Sequence, residues 1–149
     1  AFNGIIDRID EKDGILRIID YKTGNANRKM DKVPVLFEQK NNKDKKAVVQ
    51  ILQYAWLYHN RFTQWQGKIK PVLYAVKDMP QPGFTGELEQ KQEAVSTQTL
   101  KVLLEEYREQ LHNMLSELFN PDVPFHQTTD YENCTYCPYN TICATVKPG

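Results

Sequence analysis

The sequence predicts a layered α/β fold, and three observations predict it. Two β-rich runs, 5–10 and 15–22, flank an Asp13-Gly14 pair, the residue pair of a tight hairpin turn. Two later segments, 46–62 and 97–119, repeat their apolar residues at the helical period. Between them, residues 69–77 read as a third strand, so strands precede and surround the helices. At 149 residues, 40% of them hydrophobic, the chain carries enough apolar matter for one domain with a real core, spanning residues 1–149.

Each element has its own signature. Side chains alternate along a strand, so Leu16, Ile18, Asp20 and Lys22 share one side of the second run. Thr23-Gly24-Asn25 ends that strand. A basic stretch follows, with Pro34 and the apolar Val35-Leu36-Phe37, which reads as a loop docking a few side chains. In the first helix Val48, Ile51, Leu52, Ala55 and Phe62 form an apolar face. Gln50, Tyr54 and Leu57 form an adjacent stripe. Trp56, Tyr58 and Trp65 read as core packing at helical spacing, in preference to base-stacking surfaces.

Gly67 closes this unit. Pro71 places the third strand near a strand start or a sheet edge, and 79–83 (Met-Pro-Gln-Pro-Gly) opens an exposed loop. The long helix carries Leu100, Leu103, Leu104, Tyr107, Leu111, Met114, Leu115 and Leu118 and ends at Asn120-Pro121. The tail from Asp122 has no period. Since Ala1 already lies at the edge of a strand-like run, the chain reads as a piece excised from a longer protein.

Composition excludes several classes. A mean hydropathy of −0.62 and the lack of a long apolar run exclude a membrane-spanning helix, and no signal peptide is visible. Aromatic residues at 11% argue against disorder. Net charge is zero, with 19 basic and 19 acidic residues, yet it is unevenly spread. From Arg28 to Lys46, seven basic residues face three acids; from Glu87 to Glu117, seven Glu face three basic residues. A neutral total thus hides a cationic stretch. Cys134, Cys137 and Cys143 are the only cysteines. An odd, clustered set fits a reducing, cytoplasmic compartment and a metal or cluster site better than a disulfide framework.

The chemistry-bearing residues lie in the hairpin. Pairing around Asp13-Gly14 brings Asp7, among isoleucines, close to Asp20, and Lys22 projects from the same side as Asp20. Two carboxylates in a mostly apolar setting repel each other and need a counter-charge. A hard divalent cation such as Mg²⁺ supplies it, taking one or two carboxylates. A lysine beside it orients water or steadies developing negative charge, the layout of metal-assisted phosphodiester hydrolysis. The plainer alternative is two solvent-facing acids with Lys22 as their ion-pair partner. Gln50 and Tyr54, one turn apart downstream, can hold a phosphate or a water; alternatively they form a helix flank with a half-buried tyrosine.

The ordered set of 4–10 (Gly-Ile-Ile-Asp-Arg-Ile-Asp), 20–24 (Asp-Tyr-Lys-Thr-Gly), Gln50-x₃-Tyr54 and Cys134-x₂-Cys137-x₅-Cys143 resembles the PD-(D/E)XK nuclease superfamily. Within it, the set is most similar to exonuclease domains of the RecB/AddB type. The resemblance implies a restriction-endonuclease-like core, a central mixed β-sheet flanked by helices, with a C-terminal cysteine-containing loop. It implies that Asp7, Asp20 and the Tyr21 carbonyl are metal ligands for Mg²⁺ or Mn²⁺. Lys22 is then the catalytic lysine, and Gln50 and Tyr54 contact substrate beside the site. It implies cleavage of DNA, single-stranded in particular, in helicase-coupled double-strand-break repair, beside a helicase–nuclease partner subunit and away from membranes.

The family's usual N-terminal helix, bearing a His or Glu for the metal, has no counterpart here, so this piece alone is expected to be a poor nuclease. The three cysteines correspond to part of a [4Fe–4S] site whose fourth ligand lies upstream, and no intact cluster is expected in these 149 residues. His126 as substitute ligand, or free thiols, are the other readings. The stretch from Arg28 to Lys46 either grips the DNA backbone or forms a solvated loop. The Glu-rich helix face is either solvated or a partner contact. A nuclease-like fold used only to bind DNA or to assemble, and a metal–sulfur domain with irrelevant acids, are the competing readings.

Overall fold

A computed structural model describes residues 3–38, 42–128, 134–135 and 137–143, with backbone alone at 42–44. The expected strand-like start at Ala1 and Phe2 and the cationic Lys40 lie outside the described residues. The chain divides into two units, Ala1–Leu115 and Ser116–Gly149.

The first unit is built on a hairpin. Strands β1 (Arg8–Lys12) and β2 (Ile15–Lys22) pair antiparallel with Lys12 opposite Ile15, leaving only Asp13 and Gly14 in the turn. Both have positive φ, 54° and 75°, the backbone of the two-residue turn that matches strand twist. Strand β1 starts later than the sequence suggests. Ile5 is 85% exposed and Asp7 lies in a bend ahead of β1, so the expected mid-strand, apolar setting of Asp7 is corrected: it is a solvent-facing residue one step outside the ladder.

After β2 the chain forms β3 (Lys29–Met30), a 3₁₀ turn over Pro34–Leu36, and helix α1 (Asn42–Arg61). The stretch read as a loop is thus more structured than expected, and Met30, Val33 and Leu36 are buried in the core. In α1, Val48, Ile51, Leu52 and Ala55 are fully buried, the face the period predicts. Trp56, Tyr58 and Trp65 pack against the same core.

Strand β4 (Ile69–Ala75) then pairs parallel to β2, giving a mixed sheet of order β1-β2-β4. Pro71 sits in β4 at the edge of this sheet, where a missing N–H costs least. A second mixed sheet, order β3-β5-β6, uses β5 (Glu89–Gln90) and β6 (Glu93–Ala94). Helix α2 (Thr97–Leu118) starts where the Ser96 hydroxyl accepts the Thr99 N–H at 3.0 Å, an N-cap. Its Leu100, Leu103, Leu104, Tyr107 and Leu111 are buried. Burial pushes the Tyr107 phenol up to about 12. Mixed sheets flanked by helices make this a restriction-endonuclease-like α/β architecture. No helix among the described residues is long and apolar enough to cross a membrane.

In the second unit, the Cys137 N–H donates to the Cys134 carbonyl at 3.2 Å. The Gln127 amide donates to the Cys143 carbonyl at 2.9 Å.

Candidate active site

Strand β2 is the central strand and is buried on both faces over Ile18-Ile19-Asp20. Leu16 and Ile18 join the core beneath α1, and by alternation Asp20 and Lys22 project to that same side. Asp20 is 3% exposed, the one charged residue buried to this degree among the described residues. Continuing the hairpin register one step past Arg8↔Ile19 puts Asp7 opposite Asp20. The Asp7 carboxylate is fastened there by the Tyr21 backbone N–H, which donates to Oδ2 at 2.8 Å. Its other oxygen is left for a further partner.

Lys22 is wired from two sides. Its ammonium lies 2.7 Å from Asp20 Oδ2 and donates to Gln50 Oε1 at 2.7 Å. The Gln50 amide N–H in turn donates to the Tyr54 hydroxyl at 2.8 Å. Both ends of the Gln50 carboxamide are therefore engaged inside the protein, which fixes its orientation. Tyr54 is 7% exposed, and Gly4 lies flat against its ring, so close that a methyl group at Gly4 would overlap the ring carbons. Gly4 thus ties the approach to Asp7 onto the same helix face that carries Gln50.

Asp20 Oδ2 shows a feature that packing does not require. It is fully buried, and the nearby lysine is close enough for an ion pair but misaligned for a hydrogen bond, so no donor points at this oxygen. With the Lys22 ammonium as its ion-pair partner at 2.7 Å, this buried oxygen still has lone-pair capacity that no hydrogen-bond donor fills. It is what a hard cation with oxygen ligands would satisfy, together with Asp7. The Tyr21 ring projects to the opposite face, 5.7 Å from Tyr74, so any contribution from Tyr21 is through its backbone carbonyl. The residues present fit a divalent cation held by two carboxylates.

Among the described residues no three His, Cys, Asp or Glu side chains converge on a metal position. Cys134 and Cys137 are half-buried and Cys143 is exposed.

Beside Lys22 opens a groove of about 660 Å³ lined by Lys22, Lys46, Ala47, Val49, Gln50 and Gln53. Sequence reasoning counted Gly4 only within the 4–10 motif and missed its contact with a ring fifty residues away. It also missed Gln53, and it counted Lys46 only within a basic stretch. The spacing of 46, 50 and 53 at one helical face was the available signal.

A family model for the PD-(D/E)XK nuclease superfamily matches residues 1–144. The chain belongs to this superfamily, whose nucleases typically use divalent metals. Among curated proteins and among solved structures no match was found.

Proposed function

We propose that this chain is a divalent-cation-dependent deoxyribonuclease, an exonuclease domain of the RecB/AddB type that degrades single-stranded DNA beside a helicase or helicase–nuclease partner. The observation that carries the reading is Asp20: a buried carboxylate oxygen with no aligned donor, placed opposite Asp7 and next to a lysine fixed by Gln50. Membership of the nuclease superfamily supports it. A DNA-binding module without hydrolysis would have no use for this combination.

In this reading Asp7, Asp20 and the Tyr21 carbonyl hold Mg²⁺ or Mn²⁺. When bound, the cation offsets negative charge on the phosphodiester and makes water more acidic. Lys22 donates to the phosphodiester oxygens as charge builds on them. Gln50 keeps the ammonium from wandering, and Tyr54 keeps the Gln50 amide from flipping. Asp20 also holds the lysine by charge, so one carboxylate organises both halves of the site.

The test is degradation of a 5′-labelled single-stranded oligonucleotide in Mg²⁺ or Mn²⁺, with the protein in excess over DNA because the chain alone is expected to cleave weakly. Wild type is expected to shorten the strand and EDTA to stop it, while Asp20→Ala and Lys22→Ala retain DNA binding without cleavage. Wild type that binds but never cleaves in either metal overturns the reading in favour of a binding module.

A further inference from the structure

The groove beside Lys22 has walls whose chemistry the catalytic residues do not account for, and the inference drawn from them rests on the nuclease reading. Among its lining residues are two ammonium groups, Lys22 and Lys46, and two carboxamides, Gln50 and Gln53; none is acidic. Lys46, Gln50 and Gln53 recur at i, i+4 and i+7, so one face of α1 carries all three. Ammonium groups only donate hydrogen bonds; a carboxamide has two donors and one acceptor, and Gln50 has already committed its oxygen to Lys22 and one N–H to Tyr54. A wall of donors without a carboxylate suits a ligand rich in acceptors and negative charge.

Lys45 provides the contrast. Its ammonium donates to the Val35 carbonyl at 3.2 Å and is used up holding the preceding turn. Lys46 is exposed, and among the described residues it makes no ion pair. Adjacent lysines of equal charge thus have different fates, and the one in the groove is uncommitted. Four residues along α1, from Gln50 back to Lys46, span about 6 Å, comparable to one nucleotide of a stretched strand.

We infer that Lys46, with Gln53, forms a subsite for the backbone phosphate next to the one being cleaved. Helix α1 is then a rail: Gln50 fixes the lysine at the reacting phosphate, and Lys46 holds the neighbouring one. These are positioning residues, acting on where the strand lies and not on the bond that breaks. The subsite reads backbone and not bases, so it is indifferent to sequence.

The test uses the full chain and a fluorescein-labelled oligo(dT). Lys46→Ala is expected to raise KM about fivefold or more, with a smaller effect on kcat, and Lys46→Arg to restore KM. Binding by fluorescence anisotropy in EDTA should show a log Kd against log salt slope shallower by about 0.7, the value for one lost phosphate contact on a single strand. Lys45→Ala removes the same charge one residue away and should leave both readouts unchanged. A Lys46→Ala variant with wild-type KM and salt slope overturns the subsite, as does an equal effect from Lys45→Ala. Wild type that fails to cleave overturns the nuclease reading, and the salt slope, which needs no cleavage, then decides the subsite alone.

Discussion

The two faces of the β1-β2-β4 sheet carry carboxylates in opposite states. Away from α1, Asp10 receives a two-pronged guanidinium from Arg17, Nε to Oδ1 at 2.6 Å and Nη2 to Oδ2 at 2.7 Å, and Arg17 also reaches the Tyr74 hydroxyl. Lys70 and Glu87 pair nearby at 2.9 Å. The Arg17 hydrogen bonds hold the Asp10 carboxyl below the usual carboxylate range. On the α1 side, Asp20 is more deeply buried and worse served. A sheet that can build a matched ion pair on one face and leaves an acid half-satisfied on the other is spending stability at the second place, which is where chemistry is expected.

The contrast breaks most severely at Asp20. Asp20→Asn keeps shape but removes the charge, and cleavage should fall at least about 1000-fold, the several kcal/mol expected of a metal-holding carboxylate. Its melting temperature should fall, because the Lys22 ammonium 2.7 Å away loses its counter-charge. An unchanged melting temperature would show that this pair contributes nothing to folding. Next is Gly4→Ala, which drives a methyl into the Tyr54 ring and should cost about 2 kcal/mol of stability by overpacking. Denaturant midpoints measure it, and wild-type stability would mean that the strand approach is free to move. Tyr54→Phe removes only the hydroxyl that receives the Gln50 amide; kcat should fall about fivefold to tenfold, the worth of one hydrogen bond, with folding intact.

The smallest effect belongs to the other face. Asp10→Asn should lower stability by up to about 1 kcal/mol near neutral pH, as for a partly exposed ion pair. The sign with pH is fixed. Because the folded pKa is depressed, the pair's contribution is complete above the unfolded value of about 3.9 and is lost as pH falls through the folded value. Urea titrations of wild type and variant should therefore converge below about pH 4. A gap that persists in acid would show that Asp10 acts through packing.

How much of this was legible depends on which interactions are local. The Asp13-Gly14 turn announces itself, and with it the register that sets Asp7 against Asp20. The helices α1 and α2 follow from period, and their buried positions match it. The second sheet did not show. Its strands are two residues long, and its β5–β6 turn puts Lys91 and Gln92 at positive φ, 50° and 71°, a conformation those residue types do not advertise. Val33 and Leu88 are core residues without a periodic neighbourhood, so no pattern nominates them. At the site, residue identities were legible but their wiring was not. Gln50 reads as a substrate contact in isolation. Only the fold reveals that Lys22 and Tyr54 already occupy both ends of its amide.

The parallel pairing of β2 with β4 has a consequence for how the chain comes to life. The two carboxylates sit on a hairpin that can close early, but the lysine's anchor arrives on α1, and β2 is flanked on its second side only once Ile69–Ala75 has been added. Such a distant strand pairing is slow to form compared with the local turn. During synthesis, and in any partly opened form, the acids are therefore present without the group that disciplines them. On the nuclease reading proposed above, the site is complete only once the β2–β4 crossover has closed.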